Sequence, residues 1–358
     1  MPALDPHVWA VVMAGGSGSR FWPRSRQALP KQLLKIFGEN TLIQETLNRL
    51  SPLIQAQNQL IITHELQADL IREQLPDWPA QNLIAEPMGR NTAACIALAA
   101  RQLLARDPEA LMLVLPADHL IEMNQAFQTH IHQALDFARS GPFLVTLGVE
   151  PDRPETGYGY LQVNASTEPL LKVHQFVEKP DLERARQYLA SGQYLWNSGM
   201  FIWRAATIWA ELEHFCPEIC SALSQVPLSP LAADFTPCLE QAYLSLPAIS
   251  IDYAVLEKSE QVYTVRGQFG WSDIGSWESV YSLSQKTQEG NALTGEVFVK
   301  ETRNSYVYSP HKFAAVIGVD NLIVVDTEDA LLICHREHAQ EVRAAVKYLE
   351  AQGRDLLL

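Results

Sequence analysis

The chain has 358 residues, of which 47% are hydrophobic and 19% charged, values typical of a globular protein with a sizeable core and more than one domain. Its 41 acidic and 27 basic side chains give a formal net charge of −14. This balance argues against a nucleic-acid partner, because no basic face is available to displace counterions.

Targeting signals are not evident in the sequence. No apolar run is long enough for a transmembrane helix, and the N-terminus has no basic segment leading into an apolar core. We therefore expect neither a membrane partner nor a signal peptide. The five scattered cysteines form no zinc pattern and favour free thiols in the cytoplasm.

The first half of the chain alternates predicted strands and helices. Apolar runs predict buried strands at residues 8–13, 59–63, 111–115 and 143–149. Helical spacing of apolar residues follows them at residues 41–50, 68–74, 93–106 and 126–139, the third of these capped by Asn91 or Thr92. The alternation predicts an α/β fold with a Rossmann-like, mostly parallel sheet covered on both faces. In such sheets, ligands bind at the carboxyl ends of the strands.

The second half is less regular. Shorter strands are predicted over residues 158–204 with a helix at 182–189, and residues 226–247 contain four prolines typical of an irregular connector. Short helices at 251–257 and 276–283 enclose a strand at 262–265. From about residue 291, short β-rich runs precede a closing helix at 336–349, which favours a few coils of β-helix. We predict domains at residues 1–288 and 289–358.

A glycine-rich turn follows the first strand. It comprises Ala14, Gly15, Gly16 and Gly18. Three glycines in four positions allow backbone N–H groups to converge on an anion, and Arg20 and Lys31 add two cations nearby. Neither the P-loop pattern nor the dinucleotide fingerprint is present. By itself, the turn therefore fits an ordinary strand-to-helix connection as well as a phosphate site.

The stretch GGSGSRFWPRSRQALPKQ at residues 15–32 resembles the signature of sugar-nucleotide pyrophosphorylases, specifically mannose-1-phosphate guanylyltransferases. The resemblance extends over about residues 8–335, with further motifs in the family's order. It implies a GT-A-like nucleotidyltransferase domain followed by a left-handed β-helix-like domain. It also implies transfer of GMP from GTP to mannose 1-phosphate, giving GDP-mannose and pyrophosphate. Longer bifunctional relatives continue into an isomerase domain, so a monofunctional transferase is expected here.

Two aspartates are candidate metal ligands. Asp118 follows the apolar strand at 111–115, where Mg2+ is typically held by one or two carboxylates plus substrate phosphates. Asp273 lies in a turn bounded by glycine and tryptophan, where it could instead cap the next helix. The resemblance implies that both hold Mg2+, and that Arg20, Lys31 and the glycine turn stabilise the departing pyrophosphate. These four side chains are the predicted catalytic set.

A second segment, at residues 86–92, precedes the alanine-rich helix. Asn and Glu side chains can pair with the edge of a base, although a plain loop with a helix cap explains the segment equally well. The resemblance implies guanine contacts in this segment. The predicted base-binding residues are Glu86, Pro87, Asn91 and Thr92.

Three short motifs are candidates for the sugar phosphate. Gly157 lies among aromatic residues, where backbone can approach a sugar closely. Glu178 and Lys179 stand together before a proline, which marks a strand end, and Asn197 lies in another glycine turn. Singly, each fits a turn. The resemblance implies Glu178 and Asn197 on the sugar hydroxyls and Lys179 on the phosphate, whereas Asp252 is predicted to cap a short supporting helix.

Three alternatives fit parts of this pattern. The first is the same fold with another base or sugar, such as glucose 1-phosphate with dTTP or UTP. The second is a dinucleotide-dependent oxidoreductase, although its fingerprint is missing. The third is a non-catalytic sugar-nucleotide sensor, against which the full set of charged residues argues. A homodimer is expected by analogy with the family.

Overall fold

A computed structural model describes residues 5–16, 18–164, 166 and 168–358. The chain divides into two compact units. The first takes in the chain up to Gly15, together with Leu47–Ala117 and Ile121–Trp271. The second consists of Gly16–Thr46, Asp118–Leu120 and Ser272–Leu358, and thus contains residues on both sides of position 288. The predicted boundary at that position stays a prediction.

The strands of the described residues are, in chain order, β1 (Val8–Ala14), β2 (Gln59–His64), β3 (Leu83–Glu86), β4 (Leu111–Pro116), β5 (Leu120–Ile121), β6 (Leu144–Val149), β7 (Gly159–Val163), β8 (Leu170–Glu178), β9 (Tyr194–Arg204), β10 (Val262–Gly267), β11 (Trp271–Ser272), β12 (Ala292–Lys300), β13 (Tyr306–Ile317), β14 (Leu322–Asp326) and β15 (Leu331–His335).

The α-helices are α1 (Leu42–Leu50), α2 (Glu65–Gln74), α3 (Asn91–Arg106), α4 (Asn124–Ser140), α5 (Leu182–Ser191), α6 (Ala205–Phe215), α7 (Pro217–Leu223), α8 (Phe235–Ser245), α9 (Trp277–Leu283) and α10 (Val342–Ala351). In the described part of the chain, none of them is both long and apolar enough to cross a membrane.

The first unit contains a nine-stranded sheet in the order β3-β2-β1-β4-β9-β6-β10-β8-β7. Strands β3, β2, β1 and β4 are parallel, with Val11 paired to Leu60 on one side and Val114 on the other. Strand β9 is antiparallel to both β4 and β6, so the sheet becomes mixed in its second half. The predicted α/β class is confirmed.

Strands β1 and β4 lie in the interior of the sheet, and they carry almost no polar side chain, as strands covered on both faces require. Helix α3 packs on this sheet, and its residues from Ala93 to Ala100 are all buried. Small alanine side chains let a helix lie close to a sheet without losing helix propensity. This arrangement fixes the carboxyl ends of β1, β3 and β4, which lead into the predicted site motifs.

The predicted irregular connector at residues 226–247 is wrong in part, because helix α8 forms within it. Pro237 stands in the first turn of α8, where a missing N–H group breaks no intrahelical hydrogen bond. Phe235, Leu239 and Tyr243 of this helix are buried in the core of the first unit. The four prolines of this segment therefore gave no indication of the amphipathic helix that it contains.

The second unit contains a four-stranded sheet in the order β12-β13-β14-β15. The first three strands are parallel, as successive coils of a β-helix are, and β15 closes the sheet antiparallel to β14. The predicted β-helix-like fold of this segment is confirmed. Its core is not built from this segment alone, because Tyr306 and Val342 pack in one cluster with Phe21, Trp22 and Trp277.

Candidate active site

The glycine turn after β1 owes its shape to Gly18. This residue has φ +64°, and it precedes a 3-10 turn at Ser19–Phe21. A Cβ atom on Gly18 would lie 2.5 Å from Lys31 Cβ and 2.8 Å from the Lys31 backbone nitrogen. Any larger residue would therefore push Lys31 away. Ser17 lies outside the described residues.

Neighbouring side chains hold this turn by its carbonyl groups. Thr63 Oγ1 donates to the Ala14 carbonyl at 3.1 Å, Gln32 Nε2 donates to the Gly16 carbonyl at 3.0 Å, and Ser25 Oγ donates to the Gly18 carbonyl at 2.7 Å. Occupying the carbonyls leaves the backbone N–H groups of the turn as its principal polar groups for a ligand.

Lys31 links the two predicted metal-binding aspartates. Its side chain is buried, and Nζ donates to Asp118 Oδ2 at 2.9 Å and to the Asp273 carbonyl at 2.5 Å. Burial raises the pKa of Asp118, but the charges of Lys31 and His119 and the hydrogen bond from Lys31 outweigh it, so its pKa lies below the usual value. Asp118 is therefore ionised at neutral pH.

Asp273 and Arg20 meet at Gly275. A Cβ on Gly275 would lie 2.9 Å from Asp273 Oδ2 and 3.2 Å from Arg20 Nη1, and Arg20 Nη1 donates to the Gly275 carbonyl at 2.8 Å. The alternative role of Asp273 as a helix cap is wrong, since the residue before α9 is Ser276.

A cavity of about 310 Å³ in the second unit brings the four predicted catalytic residues together. Its charged and glycine lining residues are Gly18, Arg20, Lys31, Asp118, His119, Asp273, Gly275 and Arg343. Two arginines, one lysine and two carboxylates thus face one small space. This composition suits a polyphosphate accompanied by a metal ion.

The donor set of this cavity fits Mg2+. The described residues contain no cluster of three or more His, Cys, Asp or Glu side chains of the kind that holds a metal by protein ligands alone. Mg2+ instead retains water and uses one or two carboxylates together with substrate phosphates. Asp118 and Asp273 both line the cavity and are the two carboxylates that could hold such an ion.

Glu86 lies at the end of β3 and is buried in the first unit. Tyr243 Oη donates to Glu86 Oε1 at 2.8 Å, while Oε2 stands 3.5 Å from where a Cβ on Gly15 would be. Burial raises the pKa of Glu86 to about 7, although the hydrogen bond from Tyr243 opposes this shift. Pro87 follows β3 directly.

Asn91 and Thr92 begin α3 without capping it as predicted. The residue before the helix is Arg90, which makes no side-chain capping bond. Thr92 Oγ1 instead accepts a hydrogen bond from the Ile251 N–H at 2.8 Å, and Asn91, at φ +62°, accepts one from the Thr92 N–H at 2.8 Å. The capping prediction is wrong because the Asn91 side chain binds the adjacent Thr92 N–H and the Thr92 side chain binds the distant Ile251 N–H.

The predicted sugar-phosphate residues lie in the first unit. Asn197 is buried, accepts a hydrogen bond from Thr146 Oγ1 at 2.8 Å and donates to Asp252 Oδ1 at 3.2 Å. Strand β8 ends at Glu178, and Lys179 turns away with φ +49°, so that its Nζ reaches Glu178 Oε1 at 2.6 Å. The carboxylate of Glu178 and the ammonium group of Lys179 therefore lie side by side, although neighbouring side chains within a strand point to opposite faces.

Asp252 is the first residue of a π-helix, Asp252–Leu256, and not the cap that the sequence predicted. Burial and the nearby Glu178 raise the pKa of Asp252 to about 7. A π-helix is rare and often marks a functional site. Gly157 makes a separate contact, donating its N–H to Glu155 Oε1 at 3.0 Å.

Comparison with known proteins matches both parts of the chain. The family described as Nucleotidyl transferase matches residues 9–290, and the family described as MannoseP isomerase/GMP-like beta-helix domain matches residues 295–349. A mannose-1-phosphate guanylyltransferase of Klebsiella pneumoniae is 44% identical over 351 residues, which cover 96% of this chain and 74% of that protein. One from Escherichia coli K12 is 43% identical over 97% of this chain and 74% of its own length.

The chain belongs to the nucleotidyl transferase family, among the mannose-1-phosphate guanylyltransferases. A crystal structure from Thermus thermophilus, described as a mannose-1-phosphate geranyltransferase, superposes with a TM-score of 0.86 at 34% identity, covering 96% of this chain and 99% of that one. A Helicobacter pylori structure described as mannose-6-phosphate isomerase superposes at 0.61 with 30% identity, covering 74% of this chain and 99% of that one.

The roles of three residues in this guanylyltransferase-family chain were not predicted from its sequence. Tyr243 binds Glu86, Asp252 binds Asn197, and Arg343 lines the cavity. Each lies far along the chain from the residue or cavity it serves, and none stands in a glycine turn. Of the three, the sequence singled out Asp252 alone, and only as the cap of a short supporting helix.

Proposed function

We propose that the chain transfers GMP from GTP to α-mannose 1-phosphate, giving GDP-mannose and pyrophosphate. The arrangement that carries this proposal is Lys31, which binds Asp118 and the Asp273 backbone in one cavity with Arg20. A phosphate oxygen of the sugar attacks the α-phosphorus of GTP. The bond from that phosphorus to the bridging oxygen breaks, and pyrophosphate leaves.

Positioning and charge neutralisation supply the rate enhancement, since no covalent intermediate is needed. Arg20, Lys31 and the backbone N–H groups of the glycine turn stabilise the charge that develops on the leaving pyrophosphate. Enzymes of this family generally use a divalent metal. Asp118 and Asp273 would hold Mg2+, which when bound neutralises phosphate charge.

Glu86, with Pro87, Asn91 and Thr92, is proposed to bind guanine. An ionised Glu86 accepts hydrogen bonds from the guanine N–H groups, and Tyr243 fixes the orientation of the carboxylate. Glu178 and Asn197 bind the sugar hydroxyls, Lys179 binds the sugar phosphate, and the Gly157 backbone lies against the sugar. We further propose that the enzyme is a homodimer and acts in the cytoplasm.

The test of this function is pyrophosphate release from the purified protein with Mg2+, mannose 1-phosphate and, separately, GTP, ATP, UTP and dTTP. We expect release with GTP at a kcat/KM at least about tenfold above that with any other nucleotide, which is the discrimination of one good base contact. Release with dTTP or UTP and glucose 1-phosphate instead would support the alternative substrates. No release with any pair would favour a sugar-nucleotide sensor.

Replacing Glu86 with glutamine is expected to stabilise the protein at pH 8. Because the pKa of Glu86 is raised from 4.5 to about 7 in the folded state, the unfolded chain releases this proton first as the pH rises. The free energy of unfolding therefore falls between these two pH values, by about 3 kcal/mol for this group. Glu86→Gln removes that fall, which urea unfolding at pH 5 and pH 8 would measure.

The same variant should bind GTP more weakly, with a KM about tenfold higher, because it lacks the carboxylate that guanine requires. Asp252→Asn is the matched control, since it also removes a buried carboxyl whose pKa is raised to about 7. Asp252→Asn should also raise the free energy of unfolding at pH 8. It should change the KM for mannose 1-phosphate and leave the KM for GTP unchanged. If Glu86→Gln has the same free energy of unfolding as the wild type at pH 8, burial does not raise the pKa of Glu86 as described.

A further inference from the structure

Arg343 is a cation of the closing helix that reaches the catalytic cavity. It is the second residue of α10, and it lines the cavity together with Arg20 and Lys31. Its neighbour Val342 is buried in the cluster that contains Phe21 and Trp22, and α10 contacts the 3-10 turn Ser19–Phe21. The position of Arg343 at the cavity is therefore fixed by core packing.

The other cations of the cavity already have protein partners. Lys31 binds Asp118, and Arg20 binds the Gly275 carbonyl. Arg343 forms no hydrogen bond or ion pair with another of the described residues. Its five N–H donors are thus available to a ligand.

The surroundings of Arg343 are unfavourable for a cation in the absence of an anion. Arg343 is an exposed residue, yet partial desolvation at the cavity wall and the charge of Arg20 lower its pKa. An anion placed between Arg20 and Arg343 would offset the repulsion between the two guanidinium groups.

We propose that Arg343 binds the β- and γ-phosphates of the nucleoside triphosphate, and equally the pyrophosphate formed from them. This inference rests on the proposed function and adds to it a polyphosphate-binding residue from the closing helix. The planar guanidinium presents paired N–H donors, which match two oxygens of a phosphate group. Arg20 and Arg343 then hold the leaving group from two separate parts of the chain.

Direct binding of inorganic pyrophosphate tests the proposal without requiring turnover. Calorimetry with Mg2+ present would compare the wild-type protein, Arg343→Ala and Arg343→Lys. We expect Arg343→Ala to raise the Kd for pyrophosphate about tenfold or more, the effect of losing a hydrogen bond to a charged group. Arg343→Lys should retain part of the affinity, because lysine keeps the positive charge but lacks the paired N–H donors of the guanidinium group.

Lys347→Ala is the matched control, because it removes one exposed cation from the same helix and lies outside the cavity lining. It should leave the Kd for pyrophosphate within about twofold of wild type. In steady-state assays, Arg343→Ala should raise the KM for GTP and for pyrophosphate and leave the KM for mannose 1-phosphate unchanged. Thermal melting of each variant would report any loss of folded structure.

Two results would overturn the inference. One is an unchanged Kd for pyrophosphate in Arg343→Ala, and the other is an equal increase in Arg343→Ala and Lys347→Ala, which would indicate a nonspecific effect of net charge. The proposed function fails separately, if the wild-type protein releases no pyrophosphate from any nucleotide. Calorimetry with pyrophosphate would still decide the role of Arg343 in that case.

Discussion

Replacing Lys31 with alanine is expected to reduce turnover by about a hundredfold or more, the scale for losing one donor that acts in the transition state. Lys31 is buried and carries a charge opposite to that of the leaving pyrophosphate. It also binds Asp118 Oδ2 and the Asp273 carbonyl, so its loss removes both a cation and the link between two predicted metal-binding positions. The measurement is kcat for pyrophosphate release at saturating GTP and mannose 1-phosphate.

Lys35→Ala provides the control for this experiment. Lys35 lies four residues further along, is exposed and has only a long contact of 3.8 Å with Glu39. An exposed pair of this kind contributes little to stability. The Lys35 variant should therefore retain wild-type kcat. If Lys31→Ala also keeps kcat within a few-fold of wild type, Lys31 has no place in the mechanism.

Local patterns predicted the parts of the fold that depend on neighbouring residues. The short apolar runs of β1 and β4 predicted buried strands, and three glycines after β1 predicted a tight turn. Asp118 lies two residues after the end of β4, so its place at the carboxyl end of an interior strand was visible in the sequence. The contact between Asp118 and Lys31 could not be predicted from the sequence, because the positions of the strand ends do not determine the path of residues 16–46.

The unpredicted features depend on contacts between distant parts of the chain. Tyr243 was not predicted because it belongs to α8, which lies in the segment 226–247 whose four prolines suggested a connector. Arg343 resembles any surface cation of an amphipathic helix until the packing of Val342 against the cluster of Phe21 places it at the cavity. The order of strands after β4 was likewise invisible, because β9 pairs with both β4 and β6 in the antiparallel sense.

Replacing Trp277 with alanine is expected to lower the free energy of unfolding by about 3–5 kcal/mol, the usual cost of removing a buried aromatic side chain. Trp277 is fully buried between Phe21 and Tyr306, with ring centroids 5.2 and 5.6 Å away. Its Nε1 donates to the Trp22 carbonyl at 3.1 Å. Urea unfolding would measure the loss, and Trp277→Phe should cost less because it keeps an aromatic ring in place.

The same substitution should also weaken pyrophosphate binding, because Phe21 ends the 3-10 turn that carries Arg20 and packs directly on Trp277. Trp203→Ala is the matched control: Trp203 is equally buried, lies in the core of the first unit and stacks on Phe201 at 5.2 Å. Both variants should lose similar stability, but only Trp277→Ala should raise the Kd for pyrophosphate under conditions where each is folded. An equal increase in both would mean that general destabilisation, and not the packing behind Arg20, governs the phosphate site.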